Sequence, residues 1–466
     1  MAVFLVGSVA ALGQQPPAPS SAIPHLVPGQ TGSRVPMDFY VFSWQEFFAL
    51  NWPALVPAGQ LPRRGVPDTS KKPGDPGMRV WETWKTDYDL FPPQPSTGTV
   101  TPTAYSSWNE AVPICPSVGD AKVLPFISKG ESAIPGGVNQ AMGGPLVDQH
   151  GQYVRYEVRV NQTEYDETVA KSWFLRKNLS MYPSVPNLFS ASTADKYGAI
   201  ELKASWRVMT PQEKQANPPR YYMSEARVVD PKTGKCSDQP MTVGLVGFHI
   251  AHKTDVFQAW VWSTFEQVDN VPAAGVPAPP LGYSLYDGKT TNTTLKFWGF
   301  SPASAYKPVD TGSLKPAPAT PVQVLRLDPI KSDVQKLNDQ VRQMSGIKGT
   351  VWGNYELVDT QWQSDFPIPI KISNPNTAED LYPQLKGFPE DAVANTTMET
   401  YFQGFKGGKP DPAKNMIGIS TFGTSCLHCH YTSAQYDFSW MLADQAWPSA
   451  PGTTGTTKAV MKKAKK

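Results

Sequence analysis

Apolar residues recur along this chain with two different periods, and the change from one to the other divides it. Near the front, DFYVFSWQEFFALNWP brings back Trp44, Phe47, Phe48 and Asn51 at helical spacing before Pro53 stops the run, which predicts a short aromatic helix. Arg79 to Phe91 predicts a second, with Trp81, Trp84 and Tyr88 on one face and that face packed into the core. From Gln152 the period becomes two. YVRYEVRV, AIELKASWRV, RYYMSEARVV, TVGLVGFHIAHK and FQAWVWSTFEQV alternate apolar with polar or small residues, predicting five successive strands. Two further strands are expected around Val322 to Leu327 and Val351 to Val358. Helical spacing returns over Asn161 to Lys177, over Glu390 to Phe405, and over Ile330 to Met344, where Val334, Leu337, Val341 and Met344 form one stripe. The pattern as a whole predicts an α+β fold, an antiparallel sheet or sandwich with flanking short helices.

Composition sharpens this picture. Proline supplies 47 of 466 residues, about twice the ordinary share, and proline interrupts helix interiors and central strands alike, which argues against a helical bundle. Much of it lies in residues 14–36, expected as a flexible linker, and in 268–318, expected as a surface covering rather than a domain boundary. The net charge of +2 falls to −3 once Lys458, Lys462, Lys463, Lys465 and Lys466 in the tail are set aside. No basic stripe of the kind that grips nucleic acid is present in the sequence. The tail, 451–466, is expected to be a disordered basic end.

Residues 1–13 are apolar and close on the small-x-small triplet Ala11-Leu12-Gly13 before a polar, proline-rich stretch. This reads as the back half of a secretory signal peptide, without its basic front, and it predicts a periplasmic or secreted protein. No apolar stretch reaches the roughly 18 residues a membrane-spanning helix needs, so no integral span is expected.

The chemistry concentrates near the C-terminus, in a segment of residues 390–450 that follows a body of 37–389. Cys426-Leu427-His428-Cys429-His430 contains C-x-x-C-H, the attachment signature of c-type haem. On one helical turn the two thiols project from the same side, each able to add to a haem vinyl group, and His430 follows as the axial ligand of the iron. Covalent attachment needs an oxidising, exported setting, in agreement with the N-terminus. The competing chemistry is zinc on Cys426, His428, Cys429 and His430, but zinc sites draw ligands from two separated segments to close a tetrahedron. His428 is expected to point away from the iron. Cys115 and Cys236 remain once the haem takes its pair, and in an exported protein they are expected to form a disulfide, with two separate thiols as the alternative.

The iron's far side is open in this reading. Met441 follows His430 too closely to cross the haem if the chain stays helical, so a distal ligand is sought upstream. His249 or His252 is the histidine candidate, and Met398 or Met416 the thioether candidate. On a strand the odd spacing of the two histidines sends them to opposite faces, one toward the core and one outward. Glu266, expected on the strand face of Trp260 and Trp262, could orient a histidine or simply be salt-bridged.

The blocks WQEFFALNWP, VWETWK, VGLVGFHIAHKT, WVWSTFEQVDNVP and SCLHCH together resemble a family of exported bacterial proteins described as cytochrome c family proteins. The blocks run from residue 44 to 430, and only the last is chemically specific. What the resemblance implies is a single covalent haem held through Cys426, Cys429 and His430; it brings no substrate. Electron transfer with a redox partner protein is the first expectation. A peroxidase-like or oxygenase-like haem enzyme acting on a small molecule, with an open distal position, is the alternative, and a haem sensor that binds a ligand is the third.

Overall fold

The computed structural model describes residues 15–29, 34–91, 107–109, 122–124, 146–179, 188–228, 236–255, 257, 259–273, 275–289, 321–326, 329–363, 393–400, 405–406, 409–410, 426–431 and 436–445. Residues 1–13, expected as a signal-peptide remnant, Cys115, Met416 and residues 451–466 lie outside them.

Helix α1, Pro36–Leu50, opens with proline at its first turn, where no amide bond is lost. Asp38 reaches back to accept from the Val35 amide at 2.8 Å. Pro53 bars extension beyond Asn51. The helix is buried on almost every side, because it lies against a sheet with aromatic residues pointing into it: Phe47 packs against Phe248, Phe265 and Trp352. Ser43, the polar residue on that face, bonds Ser263 at 2.7 Å and Thr360 at 2.6 Å.

The sheet is the expected one in kind. Its strands are β1, Lys85–Thr86; β2, Val123–Leu124; β3, Arg155–Val160; β4, Ile200–Val208; β5, Met223–Val228; β6, Met241–His252; β7, Val261–Gln267; and β8, Tyr355–Gln361. The order β1-β3-β4-β6 is antiparallel throughout. The long strand β6 then serves two neighbours on its other edge. Met241–Gly244 pairs with β5, and Gly247–His252 pairs with β7, which carries β8 outside it; only β2 runs parallel, beside β5. The result is an α+β protein. Opposite β4, the register shifts so that Leu245 faces Trp206 and Gly247 faces Ser205, leaving Val246 as the extra residue of a bulge. The bulge exchanges the faces: Val243 and Leu245, then Phe248 and Ile250, all join the core under α1, whereas Val246 joins a cluster with Tyr156 and Met398.

The helices after α1 are α2, Asp87–Leu90; α3, Gln162–Ala170; α4, Arg176–Leu179; α5, Pro211–Lys214; and α6, Ser332–Gln343, which completes the α1 face with Val334, Leu337 and Val341 buried as the stripe predicted. Among the described residues, no helix is long and apolar enough to cross a membrane.

Five segments depart from their predicted elements. Arg79 to Phe91 is not one helix: a 3-10 turn, Trp81–Thr83, gives way to β1 and then to a short helix α2, Asp87–Leu90. Asp89 accepts from the amide and hydroxyl of Thr86 and restarts the helix there, while Lys85 is drawn into the sheet beside Val160. Asn161–Lys177 breaks after α3, Gln162–Ala170, at Ser172, whose φ of 52° is left-handed. Val351–Asn354 is a 3-10 turn ahead of β8, and residues 321–326 belong to no named strand, with Val322 and Val324 donating to the Val147 and Leu285 carbonyls.

In Glu390 to Phe405 the described part, 393–400, is a chain of turns. Asn395 explains it: its Oδ1 accepts from the Thr397 amide at 2.9 Å and hydroxyl at 2.7 Å, a local bonding pattern that competes with helix. Its Nδ2 donates to Thr264 Oγ1 and to the Phe265 carbonyl. This segment lies on the sheet face away from α1, and Gly247 makes room for it. A Cβ there would meet Thr397 Oγ1 at 2.2 Å and Ser205 Oγ at 2.5 Å. Gly247→Ala is therefore expected to cost about 1–3 kcal/mol through overpacking, read as a lowered urea midpoint, with faster amide exchange across 395–399 than in the wild type. An unchanged exchange pattern would contradict the close contact.

Candidate functional site

Helix α7, Cys426–Tyr431, carries the C-x-x-C-H motif. It packs on the sheet face opposite α1, over the row that the register sets side by side: Ala251 of β6, Trp262 of β7 and Gln361 of β8. Leu427 is completely buried among Val160, Trp173, Phe189 and Trp262, and its amide points at Gln361 Oε1, 3.4 Å away. Cys426 is half-buried at the edge of the same cluster. Cys429 follows three residues along the helix.

His430 is the best-defined member. Its ring centroid is 4.1 Å from that of Trp262, tilted by 43°, and Trp440 of helix α8, Trp440–Gln445, meets it edge-on at 6.5 Å. Its Nδ1 lies 2.7 Å from the Phe438 carbonyl oxygen. A carbonyl only accepts, so Nδ1 carries the proton and Nε2 is the donor nitrogen. Fixing one ring nitrogen in this way is how proteins set the tautomer and orientation of a metal-bound imidazole.

The carbonyl is held by an unusual piece of backbone. Asp437 and Phe438 have φ of 55° and 64°, two consecutive left-handed residues without glycine, each costing on the order of 1–3 kcal/mol unless its surroundings enforce it. Enforcement comes from Lys253, immediately after β6. Its ammonium, fully buried, lies 2.5 Å from both Asp437 oxygens. The Phe189 amide donates to the same carboxylate at 2.8 Å and the Trp260 indole at 3.3 Å. Burial pushes Asp437 up and Lys253 down, the direction in which each would lose charge, and their mutual contact opposes it. Trp260 also has a positive φ, 65°, so the turn into β7 is shaped around this pair.

The two upstream histidines fall on opposite faces, as strand spacing requires. His252 points to α1. Its Nδ1 is 2.5 Å from Glu46 Oε1 and its Nε2 is 2.7 Å from Ser192 Oγ, which itself accepts from the Gly198 amide at 2.7 Å. Serine, histidine and carboxylate stand here in the order of an acyl-transfer triad, but all three are buried and both ring nitrogens of His252 are engaged within the chain. They act as a pin tying α1, β6 and the 188–199 loop together. With both nitrogens engaged on the far face, His252 is not oriented toward α7. His249 lies on the α7 face, two residues from Ala251 and paired with Thr264. Its Nε2 is 3.3 Å from Glu399 and from Thr264 Oγ1. Burial alone would raise Glu399, but His249, followed by Lys203, holds it down at about 2.

Glu266 is salt-bridged to Arg326 and accepts from Thr396, so it orients no histidine. Met398 is buried with Tyr156 and Val246, away from Leu427, whereas Met441 is buried beside it. Cys236 is disulfide-bonded; its expected partner, Cys115, lies outside the described residues.

The residues that could hold a haem are Cys426 and Cys429, three apart in the sequence of α7, and His430, whose Nδ1 is engaged by the Phe438 carbonyl. No family model matches the chain, and no curated protein or solved structure matches it.

Proposed function

We propose that this protein is an exported c-type cytochrome that binds one haem covalently through Cys426 and Cys429, with His430 as the proximal ligand, and works in electron transfer with a redox partner protein. The observation that carries the reading is the 2.7 Å bond between His430 Nδ1 and the Phe438 carbonyl, supported by a left-handed turn anchored on a buried ion pair. A histidine that served only as core or surface would not need its tautomer fixed by two strained residues.

A haem held there supplies a reversible one-electron couple. The chain's own residues do the rest. The Phe438 carbonyl draws on the Nδ1 proton and makes Nε2 a stronger donor. Trp262 packs against the imidazole and limits its rotation. The apolar cluster around Leu427 keeps water from the attachment face, and Gln361 accepts from the Leu427 amide in the first turn of α7. Of the upstream histidines, His249 is the one on this face, and Glu399 and Thr264 fix its ring. A Cys115–Cys236 disulfide suits the same oxidising compartment.

Expressed together with a cytochrome c maturation system, the protein is expected to stay haem-coloured on a denaturing gel and to gain the mass of one haem. The double variant Cys426→Ser/Cys429→Ser should lose both signals while remaining folded. A colourless wild-type protein with stoichiometric zinc would overturn the assignment. Carbon monoxide binding by the ferrous protein at low ligand concentration would overturn electron transfer in favour of an enzyme with an open iron position.

A further inference from the structure

One buried carboxyl group stands unexplained beside the His430 support. Glu164 of α3 is completely buried, and neither of its carboxylate oxygens has a hydrogen-bond partner. The charged groups that face it are Glu201 of β4, Asp437 of the left-handed turn, Glu167 of its own helix and Lys253. On the α2 side, Lys85 is 3.6 Å from Asp89, with Asp87 next to them in the chain. Each of the other acids near Glu164 already has a partner. Glu201 accepts from Ser439 Oγ at 2.9 Å, Glu167 from the Ser190 amide at 2.9 Å, and Asp437 holds Lys253. Lys253, the cation that faces Glu164, is thus engaged by Asp437, and among the described residues no hydrogen bond or ion pair reaches the Glu164 carboxylate. An unpaired carboxylate in such a place is strongly disfavoured. Among the described residues no group of three or more His, Cys, Asp or Glu is arranged to hold a metal ion. In the haem-free protein the fitting counter-ion is a proton, and a positive charge gained nearby favours the ionised form instead.

The position of this carboxyl gives the proton a use. Phe438, whose carbonyl binds His430, is bracketed in sequence by Asp437 and Ser439, and both of these end in the acid cluster around Glu164. A change of charge at a metal held by His430 is felt there through little intervening water, where charges interact far more strongly than in solvent. Resting on the haem reading above, we propose that Glu164 takes up a proton when the haem iron beside His430 takes up an electron, so that electron transfer at this site is proton-linked. The electron comes from the redox partner and the proton from water. One O–H bond forms on the Glu164 carboxylate, no bond in the protein breaks, and oxidation reverses both steps. Burial raises Glu164 well above the usual carboxylate range, with Glu201, Asp437 and Glu167 pushing the same way and Lys253 against.

The test is the reduction potential of the haem-loaded protein followed from about pH 5 to 9, together with the infrared difference spectrum between oxidised and reduced forms. In the wild type the potential is expected to fall by up to about 59 mV per pH unit over part of this range, the one-electron equivalent of a tenfold change. A protonated-carboxyl band should be stronger on the reduced side. Glu164→Gln, which replaces the neutral acid by a neutral amide of the same shape, should fold, flatten that slope and remove the band. Glu164→Asp keeps a carboxyl and should shift the sloping region while retaining it, a result a merely structural role would not produce. An equal slope in wild type and Glu164→Gln, or a flat wild type, overturns the proton linkage while the haem spectrum still stands. Absence of any covalent haem spectrum overturns the underlying reading, and the linkage with it.

Discussion

Replacing Lys253 with methionine is expected to destabilise the folded protein by about 3–5 kcal/mol, the usual cost of removing one partner from a buried ion pair. Methionine keeps the apolar stem and most of the volume, so the loss isolates the charge. Asp437 would then sit buried with only the Phe189 amide and the Trp260 indole as donors, and it would have to protonate or move. Moving releases the left-handed turn, because nothing in the Phe438 side chain favours a positive φ, and Asp437 tolerates one without requiring it. The check is urea unfolding at neutral pH for wild type, Lys253→Met, and the double variant Lys253→Met/Asp437→Asn, which removes the orphaned charge and should recover part of the loss. In the haem-loaded form the single variant should also shift the potential, since the His430 bond to the Phe438 carbonyl depends on that turn. A Lys253→Met protein within about 1 kcal/mol of wild type would show that the pair contributes little beyond its desolvation cost.

The same pair connects the two ends of the argument about this site. Lys253 follows directly on His252, whose bonds to Glu46 and Ser192 fasten the end of β6 to α1. The C-terminal segment is therefore not merely laid on the sheet. Its turn is anchored to the strand end that the α1 face holds most firmly, and Arg176 adds a bond to the Ala443 carbonyl in α8 at 2.7 Å. A redox group placed here is braced by elements drawn from the first 50 residues and the last 30 described ones, which is one use for a body much larger than an attachment motif requires.

What the sequence made legible follows the range of the interactions involved. The strands were readable because each buries one pleated face, and alternation records that directly. The helical turn that carries C-x-x-C-H was readable because the motif is local, all of it within Cys426–Tyr431. Arg79 to Phe91 misled because Trp81 and Trp84 suit a helix by spacing, whereas the Thr86–Asp89 cap and the pairing of Lys85 with Val160 decide the backbone. Glu390 to Phe405 misled because apolar spacing takes no account of Asn395 bonding its own neighbours. The bulge at Val246 was invisible to a strict period of two, and it is what turns Phe248, Ile250 and His252 toward α1. Least legible were Lys253, Asp437 and Glu164. The first two are 184 residues apart, and a left-handed Asp-Phe step carries no glycine to announce it. Only the oddity of a lysine closing an apolar strand hinted that a buried acid awaited it.

Acid should unfold this protein early, and through a second buried network. Glu82 accepts from Lys122 at 2.5 Å, from the Arg79 amide at 2.8 Å and from the Tyr222 hydroxyl. Lys122 also reaches Glu157 at 3.2 Å, Arg159 holds Glu157 at 2.7 Å, and the ammonium sits 3.9 Å from the Trp206 ring centroid. Burial alone would raise Glu82, but the Lys122 charge, then its hydrogen bond and those of Tyr222 and Arg79, bring it from the ordinary 4.5 to about 2. A carboxylate depressed in the folded state gives stability that is complete above its unfolded value and is lost as pH falls through the folded one. At 1.36 kcal/mol per unit, that is about 3 kcal/mol withdrawn between about pH 5 and 2. Glu157 is lowered too and adds in the same direction. Glu399 shares the window, but its side chain is 27% exposed and solvent screens its contribution. Urea midpoints measured stepwise from neutral pH downward should therefore fall steeply below about pH 5 in the wild type. Glu82→Gln should start lower at neutral pH, because Lys122 loses a partner, and then decline less steeply with acid. If the two proteins lose stability in parallel, Glu82 is not the group whose protonation drives acid unfolding, and Glu157 with Arg159 becomes the next pair to test.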